Sequence, residues 1–162
     1  MTELRQVFDD LVRFETMLWA AVDDRLREES GVTLASLNVM LIIDATPSCR
    51  VLDIAQALAI TVGGTSQAVD RLEKVGWCVR KPHPTDRRSS IVELTPAGEA
   101  RLTRAAPVFD NELDHLLRAP LTDSHLRQLA DGLRVLRRSA AAGPAAAAAA
   151  TSRDQHPRRG AP

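Results

Sequence analysis

Residues 50–95, RVLDIAQALAITVGGTSQAVDRLEKVGWCVRKPHPTDRRSSIVELT, decide how this chain folds. Val51, Ile54, Ala55 and Leu58 place one apolar face on a short helix, Ala59 to Thr61 form a tight turn, and Thr61 is an N-cap for a second helix. In that second helix Thr65, Ala68, Val69, Leu72 and Val75 recur on the inward side. Gly63, Ser66, Gln67, Asp70, Arg71 and Lys74 recur on the outward side, and Gly76 ends the helix. Trp77 to Lys81 then reads as a strand, Pro82, His83, Pro84 and Thr85 as a turn, and Ser89 to Leu94 as the returning strand, with Cys49 to Val51 as a very short edge strand beside it.

A helix with small packed residues behind and short hydrogen-bonding and basic residues in front suits the major groove of duplex DNA. Thr65, Ser66 and Gln67 are therefore expected to discriminate bases, and Arg71 and Lys74 to meet phosphates. Arg80 and Lys81 on the first strand are also placed for phosphates, and Arg87 and Arg88 near the hairpin tip suit a narrow minor groove. Gly63 and Gly64 admit two accounts. They let the backbone of the first turn approach DNA, with its free amides aimed at a phosphate, or they simply mark a loosely wound start.

The flanks are helical. Leu4, Val7, Phe8, Leu11, Phe14, Leu18, Val22 and Leu26 fall at spacings of three and four in a long helix that ends at Ser30 and Gly31, and part of this stripe is expected to meet a partner subunit. Thr33 caps a second helix over LASLNVMLIIDA, whose nearly continuous apolar side predicts burial. Beyond the hairpin, Thr95 and Pro96 start a helix through Leu102, Ala105, Phe109, Leu113 and Leu116, bent by Pro107. Thr122 or Asp123 caps a last helix carrying Leu126, Leu129, Leu133 and Leu136. From Ala140 the sequence is low-complexity and is expected to form a mobile tail.

Composition bounds the function. With 44% hydrophobic residues in 162, the chain can bury a core, and its formal net charge of zero argues against a generic polyanion binder. Yet the basic residues gather between 50 and 92, whereas the first 49 residues are acidic. No run approaches the roughly 18 apolar residues of a membrane span, and MTELRQVFDD is no signal peptide, so a cytoplasmic protein is expected. Cys49 and Cys78 lack metal-ligand spacing and read as idle thiols. The four histidines form no catalytic or metal constellation, and no cofactor loop is present, so neither an enzyme nor a metal or cofactor site is expected. An aromatic content of 3% offers few platforms for single-stranded nucleic acid.

The segments VDRLEKVGW and HPTDRRSSIVELTPAGEARL resemble the winged helix-turn-helix of the MarR family of bacterial transcription regulators, carried by Leu72, Glu73, Gly76, Pro84, Asp86, Arg87, Arg88, Leu94, Thr95 and Gly98. His83 stands where the family usually has an acid, and Gln67 where it often has arginine. The resemblance implies that Arg88 enters the minor groove held by Asp86, that the first and last two helices interlock as a homodimer, and that a small aromatic or phenolic effector binds between those helices and the winged domain. Trp19, Met40 and Phe109 are candidate lining residues by type and placement. The subtype that senses peroxide is not expected, because no cysteine lies early in the first helix and the chain has no tyrosine.

The expected architecture is mainly α with a small β-hairpin wing. A winged helix-turn-helix domain (33–95) lies between the parts of a helical dimerisation region (1–32 and 96–139), with a tail over 140–162. The expected function is a dimeric DNA-binding regulator, probably-repressor class in type, that recognises a pseudopalindromic operator; the alternative is a winged-helix protein-interaction module without DNA binding.

Overall fold

The computed structural model describes residues 3–83 and 89–153, with side chains through residue 141. The order is α1 (Glu3–Ser30), α2 (Leu34–Ala45), α3 (Val51–Leu58), α4 (Val62–Lys74), β1 (Cys78–Pro82), β2 (Ser90–Leu94), α5 (Pro96–Leu113), a π-helical turn (Asp114–Arg118) and α6 (Asp123–Arg153). This is the mainly α winged-helix architecture expected. The chain divides into two compact units, one ending at Leu116 and the other beginning at Leu117.

In the first unit, local chemistry sets the helix boundaries. Thr33, Thr61 and Thr95 each sit in extended backbone, and their hydroxyls accept hydrogen bonds from Ser36, Gly64 and Gly98 amides, satisfying donors that the first helical turn leaves open. Gly76, with φ 76°, ends α4 in the left-handed region that side chains disfavour. Its carbonyl accepts from Thr95 Oγ1 at 2.6 Å, which ties the end of α4 to the start of α5.

The core is continuous from α1 to the hairpin. Val22 and Leu26 of α1 join Leu37, Met40 and Ile43 of α2, Ile54 of α3, Val69 and Leu72 of α4, Val92 of β2, and Leu102 and Ala105 of α5. Burying a side chain such as Leu26 or Leu37 contributes about 1.5–3 kcal/mol, so this cluster, rather than the hairpin alone, holds the head together. The N-terminal half of α1 takes no part: Leu4, Phe8, Leu11, Phe14 and Met17 are exposed. α5 runs on through Pro107, and its start presses closely on the hairpin. A Cβ on Gly98 would lie 1.9 Å from the Trp77 carbonyl oxygen, so only glycine permits this approach.

β1 and β2 pair antiparallel, with Cys78 opposite Leu94 and Arg80 opposite Val92. The expected edge strand at Cys49 to Val51 shrinks to one bond, from the Val92 amide to the Cys49 carbonyl at 2.7 Å, because the backbone turns into α3 at Val51. Val75, expected inward, is exposed: it is the C-cap of α4 and has already left the helical register that would bury it.

In the second unit, Thr122 Oγ1 accepts from the His125 amide at the start of α6. Leu129, Leu133, Val135 and Leu136 are exposed along the helix. Its helical backbone continues past residue 139, through Gly143 and Pro144, to Arg153.

Candidate nucleic-acid interface

α3 and α4 form the helix-turn-helix. The turn between them is made by Ala59, in left-handed backbone at φ 54°, whose amide and that of Ile60 bond back to Gln56 and Ala55 carbonyls. The start of α4 is organised by Thr61. Its Oγ1 accepts from the Gly64 amide at 3.1 Å, and its carbonyl receives both the amide and the hydroxyl of Thr65, at 2.9 and 3.0 Å. Thr65 is fully buried, so its hydroxyl is committed to the turn and does not face outward; the expectation that it discriminates bases does not match this placement.

Thr61, Gly63, Gly64, Gln67, Arg71 and Lys74 are exposed, and Ser66 is half-buried. Arg71 and Lys74 form no ion pair among the described residues, so their charge faces solvent. The two glycines differ. A Cβ on Gly64 would come 3.2 Å from the capping Thr61 Oγ1, whereas a Cβ on Gly63 would meet nothing within 4 Å. The fold therefore has a packing reason for Gly64 and none for Gly63.

Arg80 behaves differently from an open phosphate contact. Its Nη1 lies 2.6 Å from Glu73 Oε2, its Nη2 lies 2.7 Å from Asp70 Oδ1, and Nη2 also donates to the Ser66 carbonyl at 3.3 Å. The Arg80 amide donates to Glu73 Oε1 at 3.0 Å. β1 is thereby strapped along the exposed side of α4. The amide bond and then the guanidinium bond from Arg80 hold the Glu73 carboxyl below its ordinary range. Burial disfavours the Arg80 charge, but the hydrogen bonds to Asp70 and Glu73 outweigh it and raise its pKa. Lys81 is likewise paired, with Glu93 of β2. Sequence spacing did not single out Asp70 and Glu73 as partners of Arg80; the one available signal was two acids on the α4 side from which β1 returns.

Asp86, Arg87 and Arg88 lie outside the described residues. Of the three expected effector-lining residues, Met40 is fully buried in the core, Phe109 is partly buried against it, and Trp19 is exposed on α1. A cleft of about 530 Å³ between α1 and α5 is lined by none of them; Asp24, Arg25, Glu28, Asn111, Glu112 and His115 give it a polar, largely acidic wall. Both cysteines are buried. Burial first, then the nearby acids Asp53 and Glu73 respectively, push the thiols of Cys49 and Cys78 up to about 11, so both stay protonated at neutral pH. Among the described residues no group of three or more His, Cys, Asp or Glu side chains could hold a metal ion, and no helix is long and apolar enough to cross a membrane.

Residues 32–90 match the model of the MarR family. The chain is 28% identical over 102 residues to the HTH-type transcriptional regulator BilQ of Clostridium symbiosum, an alignment covering 63% of this chain and 70% of that protein. It is 37% identical over 76 residues to an uncharacterized HTH-type transcriptional regulator of Bacillus cereus, covering 47% of this chain and half (50%) of that relative's length. Its fold superposes with a TM-score of 0.80 on the crystal structure of Sco3205, a MarR family transcriptional regulator from Streptomyces coelicolor in complex with DNA, at 25% identity over 86% of this chain and 89% of that one.

Proposed function

From membership of the MarR family, to which this chain belongs, we propose that it is a DNA-binding transcriptional regulator that acts as a homodimer on a pseudopalindromic operator. The observation that carries this reading is the exposed outer side of α4, where Gly63, Gln67, Arg71 and Lys74 stand free on a helix that is otherwise rooted in the core. Two copies would present one α4 each to half-sites about 34 Å apart, one turn of duplex. Arg71 and Lys74 supply phosphate contacts and hence salt dependence, while Ser66 and Gln67 read base edges. Thr61, Gly63 and Gly64 bring the first turn of α4 to a phosphate. Arg80 is assigned a different role from these: its donors are spent on Asp70, Glu73 and Ser66, so it positions the wing strand against α4.

Arg88, with Asp86 as its support, is proposed as the minor-groove contact on the strength of the Pro84, Asp86, Arg87, Arg88 motif. Arg88→Ala is expected to weaken operator binding at least about tenfold, the scale of one to three kcal/mol per specific contact. An electrophoretic shift titration checks this, and unchanged affinity with an intact dimer would refute the wing assignment. Control by a small aromatic or phenolic effector completes the proposal. Met40 is excluded from direct contact by its complete burial, which leaves Trp19 and Phe109 as the residues to test. The named relatives are regulators, and no residue group here argues for catalysis.

A further inference from the structure

Arg101 of α5 touches two parts of the molecule that are far apart in sequence. Its Nη1 donates to the Ser30 carbonyl at 3.2 Å, at the last residue of α1, and its Cζ stands 5.5 Å from the centroid of the Trp77 ring. Among the described residues it has no carboxylate partner, so its charge is held by the negative end of the α1 dipole and by the face of the indole.

Trp77 is the root of the reading head. Its amide donates to the Leu72 carbonyl at 2.9 Å, its carbonyl accepts from the Thr95 amide at 3.1 Å, and that same carbonyl is pressed against Gly98. It therefore fixes the point where α4 ends, β1 begins and α5 starts. α1, at the other side of Arg101, carries the long exposed apolar stripe. The core contacts between α1 and the head are apolar and non-directional. Directional contacts number two: the Asp23 carboxylate accepting from the Leu34 amide at 2.7 Å, which acts within the α1–α2 connection, and Arg101.

We propose that Arg101, clamped between the Ser30 carbonyl and the Trp77 ring, is the positioning residue that fixes the angle of the reading head on α1 and so sets the half-site spacing the dimer accepts. This rests on the dimeric DNA-binding reading above. Without the strut the head retains its DNA-contacting side chains but pivots on an apolar joint, and the penalty for a wrongly spaced operator falls.

The test starts from duplexes that the wild-type chain selects from a random pool, remade with the half-sites one base pair closer or further apart. Wild type binds the selected spacing best. Arg101→Met is expected to lose about tenfold in affinity at that spacing and to bind all three duplexes within a few-fold of one another. Trp77→Leu should flatten the profile in the same way, and the double variant should be no flatter than the stronger single, because both remove one contact. Arg101→Lys, which keeps the charge but not the planar stacking group, should retain part of the discrimination. An equal loss at every spacing, or an unchanged profile, in Arg101→Met would overturn the proposal. Should that variant fail to fold, unchanged profiles in Arg101→Lys and Trp77→Leu would overturn it equally. Wild type that selects no duplex contradicts the regulator reading itself, and the strut falls with it; wild type with a sharp profile that Arg101→Met preserves contradicts the strut alone.

Discussion

Gly63 separates what the fold needs from what DNA binding needs. It lies in the first turn of α4 with nothing within 4 Å of a hypothetical Cβ, and glycine there costs up to about 1 kcal/mol relative to alanine. A residue that weakens its own helix without a packing reason points outward. Gly63→Ala is expected to raise the thermal midpoint slightly and to weaken binding to the selected operator several-fold. Thermal denaturation and shift titration on the same sample check the opposite signs. A variant that is more stable and binds equally well would leave Gly63 as no more than a loose helix start. Its neighbour Gly64 is not an equivalent test, since a methyl group there presses on the Thr61 cap.

The elements show what the sequence could and could not reveal. The caps at Thr33, Thr61 and Thr95 were legible because a capping hydroxyl acts within three residues, and the apolar periods of α2, α3 and α4 were legible because burial follows helical spacing. Thr65 was ambiguous: it falls on the buried side by period, yet its chemistry suits base contact, and the Thr61 carbonyl decides the matter. The strap from Arg80 to Asp70 and Glu73 was not legible, because it crosses from helix to strand through a turn whose geometry no local pattern specifies. This strap makes the junction of α4 and β1 sensitive to acid. Glu73 has its pKa held below the ordinary 4.5, so its contribution is fully present above that value and is lost as pH falls through the folded-state pKa. Between about pH 5 and about pH 3 the wild type should therefore lose more stability than Glu73→Gln, as read by denaturant midpoints at each pH. Parallel losses in the two proteins would show that the carboxylate is not what strap stability depends on.

For the whole molecule, the exposed apolar residues of α1 demand an explanation that one copy does not provide. Leu11 and Met17, 42% and 71% exposed, lie on a helix whose C-terminal half is fixed in the core by Val22 and Leu26. A second copy is the cover we propose. Leu11→Glu with Met17→Glu should leave helicity intact and shift the sedimentation coefficient from that of two chains to that of one; a variant that remains two chains would place the dimer contact elsewhere. The central claim is that the outer side of α4 holds a duplex through Arg71 and Lys74. Its most direct test is the affinity for the selected operator measured across a salt series. Wild type should show a steep linear fall of log affinity with log salt, and the Arg71→Ala, Lys74→Ala double variant a slope shallower by about two, one for each phosphate contact removed. An equal slope in the two proteins would contradict the assignment of α4 as the DNA-binding surface.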